Sequence, residues 1–157
     1  MAKPWKVVDL DPAENLKTCL HKIALTRFQE TFSYEQRTMK GEDVEALHDM
    51  RIAARRLRSI LKIFEDCFPK KKFRKQDDKL RTLIRSLGAV RESDVFIELL
   101  KNKRTSFAPR EGKIIDQLIA REQNARASHR NQMVSGLQAL QRSKYADAFH
   151  RFLQETL

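Results

Sequence analysis

Apolar residues recur at three- and four-residue spacing along almost the whole chain, the pattern of helices that turn one face to a core. Leu16, Leu20, Ile23, Ala24, Phe28 and Phe32 predict a first helix. It should open at Asp11-Pro12, where the missing proline N–H does no harm, and run to about residue 38. Gly41 marks its end, and Asp43 is placed to cap a second helix over 43–68. Phe68-Pro69 stops that helix, because the residue before proline avoids the α region. Phe73, Leu80, Leu83, Ile84 and Leu87 predict a third helix, Gly88 a break, and Val90, Val95, Phe96, Leu99 and Leu100 a fourth over 89–104. Residues 102–109 read as a linker. A narrow strip through Ile115, Leu118, Met133 and Leu137 predicts a fifth helix over 110–140. Ser143 is a candidate cap for a sixth, which carries Tyr145, Phe149, Phe152 and Leu153. Residues 1–9 read as an irregular arm that Trp5 could pin to the bundle.

The expected architecture is therefore all-α, a helical bundle of about six helices forming one domain over residues 1–157. Residues 10–104 are expected to make a four-helix bundle, and 110–157 two helices of an incomplete second bundle. Two helices cannot close a bundle of their own. They must lie on the first bundle, on a partner, or on a second copy of the chain.

Within the second helix the pattern also sorts charge. On residues 44–64, Met50, Ala53, Leu57, Ile60, Leu61 and Phe64 project within roughly 60° of one direction. His48, Arg51, Arg55, Arg58 and Lys62 fill an arc of about 80°, centred roughly 130° away. They form a ladder about 21 Å long at the helical rise. Like charges at i,i+4 repel, so the ladder costs helix stability on its own. Charge runs on helices are ordinarily solvated faces, but such faces mix signs and this one does not. The following helix adds Lys71, Arg74, Arg81 and Arg85 along one face, interrupted by Asp78. The natural counterpart is an anion outside the helix.

Composition widens this picture without choosing the anion. Gly and Pro number four each, and thirty-two Lys and Arg against twenty-one Asp and Glu leave a net charge of +11. Such a field draws nucleic acid, anionic lipid and phosphate polymers alike. Cys19 and Cys67 make neither a zinc spacing nor a disulfide framework, which fits a reducing compartment. The N-terminal residues lack the apolar stretch of a secretory signal, and no apolar run is long enough to span a membrane. The expected location is the cytoplasm, without membrane association.

Catalytic chemistry is thin. Cys19 and His21 are two apart and would point to opposite sides of a helix. The pair His48-Asp49 is shared with metal-dependent phosphohydrolases, but those need further His and Asp ligands, and arginines at such a site would repel the metal. No Gly-rich phosphate loop or Ser/His/Asp arrangement is present. No enzymatic activity, metal or cofactor is expected. His129, near the edge of the narrow strip, reads as a structural histidine. His48 shares its face with four cations and should donate a hydrogen bond, or take up a proton, when an anion binds.

Leu47-His48-Asp49-Met50-Arg51-Ile52-Ala53-Ala54-Arg55-Arg56-Leu57-Arg58 resembles the signature of the CHAD (conserved histidine α-helical) domain. That signature is a His-x-x-Arg pair followed by a double Arg and another Arg on one helix. Leu87-Gly88-Ala89-Val90-Arg91-Glu92-Ser93-Asp94-Val95 is similar to a second family element, with Glu92 where Asp is usual. The resemblance spans roughly residues 10–153. It implies two four-helix bundles related by a pseudo-twofold, with a basic surface between them that binds inorganic polyphosphate without catalysis. His48, Arg51, Arg55 and Arg58 match the family's anion-lining positions. Lys62, Arg81, Arg85 and Arg91 are further candidates, and pairing with Asp94 is the alternative for Arg91. The family's second half carries its own His- and Arg-bearing helix, which this sequence does not show. The chain is then a shortened form, or two copies associate as a homodimer.

The leading expectation is non-catalytic binding of inorganic polyphosphate by this ladder. A non-specific nucleic-acid-binding protein is the alternative, although the ladder has no Asn or Gln for base edges and no aromatic residue on its face.

Overall fold

Several helix boundaries trace to a side chain that accepts a backbone hydrogen bond or to a residue in the left-handed region. A computed structural model describes residues 3–157, which form six α-helices and no strand. They are α1 (Leu16–Ser33), α2 (Glu35–Lys40), α3 (Val44–Ile63), α4 (Lys70–Arg104), α5 (Pro109–Arg142) and α6 (Tyr145–Thr156). The first helix starts later than Asp11-Pro12. Asp11 instead turns the chain, its Oδ1 accepting from Ala13 N at 2.9 Å, and Asn15 caps α1 by accepting from Thr18 N at 3.0 Å. The predicted run to residue 38 is interrupted at Tyr34. There the Ser33 hydroxyl donates to the Glu30 carbonyl at 2.7 Å and competes with the helical ladder.

Gly41 ends α2 in the left-handed region (φ 75°), and Asp43 caps α3 as expected, accepting from Glu45 N at 3.0 Å and Ala46 N at 3.2 Å. The second helix stops at Ile63 rather than 68. A 3-10 turn over Glu65–Cys67 leads to an extended Phe68 that is buried in the core. Ser143 does not cap α6. Its hydroxyl donates back to the Leu140 carbonyl at 2.9 Å, and Lys144, with φ at 50°, makes the corner between α5 and α6.

The largest departure is at Gly88, where the chain does not break. A single helix of 35 residues runs from Lys70 to Arg104. A mid-helix glycine costs about 1 kcal/mol relative to alanine, whereas burying Leu83, Leu87 and Val90 contributes about 1.5–3 kcal/mol each. The predicted third and fourth helices are thus one.

Two apolar clusters hold the molecule. One joins Leu20 and Phe28 of α1, Leu57 and Leu61 of α3, Leu80 of α4 and Phe149 of α6. The rings of Phe28 and Phe149 stack at 4.3 Å. The other joins Met50 and Ala54 of α3, Leu87 and Val90 of α4, and Met133 and Leu137 of α5. The last two helices therefore lie on the first ones, and both clusters cross the boundary expected near residue 105. Of the fifth-helix strip, Ile115, Met133 and Leu137 are buried while Leu118 stays exposed. The N-terminal arm is held through its backbone rather than by the indole. Arg27 donates to the Trp5 carbonyl, while the Trp5 side chain is exposed.

Candidate functional site

The ladder faces outward because the other side of α3 is so fully committed. Met50, Ala53, Ala54, Leu57 and Leu61 are buried to within 1% of complete, which fixes the rotation of the helix about its axis. The helix α4 packs along α3 and supplies the second wall of two grooves.

The first groove, of 430 Å³, lies at the start of α3. His48 and Arg51 face Arg91, Glu92, Val95, Phe96 and Leu99 of α4 across it. Arg51 reaches the groove by crossing α4 at Gly88, where a Cβ would stand 3.5 Å from its Nε. Nδ1 of His48 and Nε of Arg51 are buried without a hydrogen-bond partner among the described residues. Orphaned buried polar atoms of this kind cost about 1–3 kcal/mol each, so the site holds binding capacity that the fold does not use.

The second groove, of 390 Å³, continues along α3 and is lined by Arg55, Arg58, Ser59, Lys62, Ile63 and Ile84. Its cations differ in freedom. Arg58 is engaged by Asp77 of α4 in a two-pronged pair, Nε to Oδ1 at 2.6 Å and Nη2 to Oδ2 at 3.2 Å. The Asp77 hydrogen bonds hold the Arg58 guanidinium proton more firmly still, against a smaller opposing effect of burial. Lys62 pairs with Glu65 at 2.6 Å. Among the described residues no carboxylate lies within ion-pairing distance of His48, Arg51, Arg55 or Arg91.

The α4 candidates do not gather in one place. Arg81 is exposed and pairs with Asp78 at 2.6 Å, and Arg85 lines a third groove, between α4 and α5, with His129. Arg91 does face the ladder. Its alternative partner Asp94 is taken instead by Arg126 of α5. The sequence motifs thus converge on one surface where α3 crosses α4, with an unpaired end at His48, Arg51, Arg55 and Arg91 and a self-paired end at Arg58 and Lys62.

The family profile of the CHAD domain matches residues 22–157. The chain belongs to the CHAD domain family. The match takes in α3 and α4 whole and begins inside α1, so the N-terminal arm lies outside it. No match was found among curated proteins or among solved structures.

Several site residues of this CHAD domain are not visible in the signature. Asp77 sits in a charge-rich stretch beside Asp78, with Arg74 and Arg81 close along the same helix. Only the packing of α3 on α4 selects Arg58 as its partner. Phe96, Leu99 and Val95 read as core positions, yet they are 43, 51 and 48% exposed beside the basic groove. Arg56, next to Arg55 in the double arginine, turns inward, and its Nη1 donates to Oε1 of the fully buried Glu30 at 3.1 Å. The same carboxylate accepts from Arg27. Arg56 is therefore a structural cation, and Glu30 gave no signal beyond lying on an amphipathic helix.

Proposed function

We propose that this CHAD domain binds inorganic polyphosphate without turning it over, through the surface made by His48, Arg51 and Arg55 of α3 and Arg91 of α4, with Arg58 and Lys62 extending it. The observation that carries this reading is that four basic side chains share one surface with no carboxylate of the described residues paired to them. A linear chain with a charge on every phosphate suits guanidinium forks, which donate charge-assisted hydrogen bonds to non-bridging oxygens without reading bases or sugars. Arg58 still offers the N–H groups that Asp77 does not take, since a guanidinium carries five donors. No helix among the described residues is long and apolar enough to cross a membrane. A cytoplasmic location and the association of two copies belong to the same proposal.

Competition at one fixed salt concentration tests it. Polyphosphate is expected to displace a DNA duplex readily, while the duplex fails to displace polyphosphate. Displacement in the reverse direction would favour a nucleic-acid-binding protein. Phosphate release measured with and without divalent metal should stay at background, and turnover would overturn the non-catalytic assignment.

A further inference from the structure

The first groove is not built for phosphate alone. An inorganic chain has no apolar surface, yet one wall of the groove is the exposed stretch Val95, Phe96 and Leu99. A carboxylate beside a phosphate site repels the ligand, yet Glu92 lines the same groove. Its Oε1 lies 3.9 Å from the place a Gly88 Cβ would occupy, close to Arg51 but not paired with it. At 430 Å³ the groove falls within the size range of small-molecule sites, and it combines an apolar wall with a few polar groups as such sites do.

We propose that this end of the surface takes a nucleoside polyphosphate, with the base on the apolar wall and the phosphates running onto the ladder. The planar base stacks on Phe96, because a base offers its π-face to an exposed aromatic ring. Glu92 accepts from N–H groups on the base edge, the role a carboxylate plays toward a base's amino group. Arg51, Arg91 and His48 receive the phosphates nearest the sugar, and further phosphates extend toward Arg55. This assigns a use to three apolar residues and one acid that an inorganic chain leaves idle. It rests on the anion-binding reading above and adds the identity of a ligand class.

The experiment compares inorganic tripolyphosphate with ATP and GTP by calorimetry, at one ionic strength and without divalent cations. The nucleotides are expected to bind roughly tenfold more tightly than tripolyphosphate, the contribution of one stacked base. Phe96→Ala should abolish that difference and leave tripolyphosphate binding unchanged. Leu118→Ala, an exposed apolar residue on α5, should preserve it. Arg51→Ala should weaken all three ligands. Equal affinity for nucleotide and tripolyphosphate, or a Phe96→Ala loss that falls on both, overturns the base site while leaving polyphosphate binding intact. Failure of all three ligands to bind overturns both readings.

Discussion

Arg55 is exposed, unpaired with any carboxylate among the described residues, and midway along the ladder, so its guanidinium is free to meet a ligand directly. Arg55→Ala is expected to weaken polyphosphate binding by about 1.5–3 kcal/mol, the value of a hydrogen bond to a charged group. The control is Arg121→Ala, an exposed cation on α5, which titration calorimetry should show to be nearly silent. Equal losses from both would indicate diffuse attraction by the +11 field. Arg56 cannot serve as the control, although the helical projection turns it away from the ladder, because its loss would disturb Glu30 inside the protein. Glu30→Ala removes the buried carboxylate that Arg27 and Arg56 share and is expected to destabilise the fold by about 3–5 kcal/mol, read from urea denaturation.

The helices α3 and α4 show which sequence signals survive folding and which do not. The two-faced pattern of α3 was readable because buried and exposed positions alternate at a regular helical step, and its apolar face is now the core. The continuity of α4 was not readable at Gly88, since glycine signals a break only when nothing else holds the helix. There the flanking Leu87 and Val90 are locked in the second cluster. Gly88→Ala tests this account. An alanine Cβ would meet Arg51 at 3.5 Å, an ordinary contact, so the substitution should stabilise the protein by roughly 0.5–1 kcal/mol, seen as a higher Tm. A fall in Tm would mean that Arg51 needs the space. The pairing of Arg58 with Asp77 was hidden for a different reason. It joins residues 19 apart on two helices, a relation that exists only once the helices have docked.

For the molecule as a whole, the excess of positive charge makes its acidic groups matter out of proportion to their number. Asp43 is held below its ordinary pKa mainly by its hydrogen bond to Arg37, Asp116 by Arg104, and Glu155 by Lys72. Each folded pKa lies below the unfolded one, so each contribution is present above the unfolded value and lost as pH falls through the folded value. Stability should therefore fall as pH drops below about 4, where protonation also adds to self-repulsion. Asp43→Asn should flatten the acid limb of a stability–pH curve, and an unchanged limb would show that the cap contributes little. The stack of Phe28 on Phe149 has a consequence of another kind. The apolar face of α1 is covered in part by Leu57 and Leu61 of α3, but the Phe28 ring gains its stacked partner only from α6, more than a hundred residues later, so during synthesis α1 leaves the ribosome well before its packing is complete. Until then the Phe28 part of its greasy stripe is open to chaperones, and a chain that stalls before α6 leaves that part uncovered.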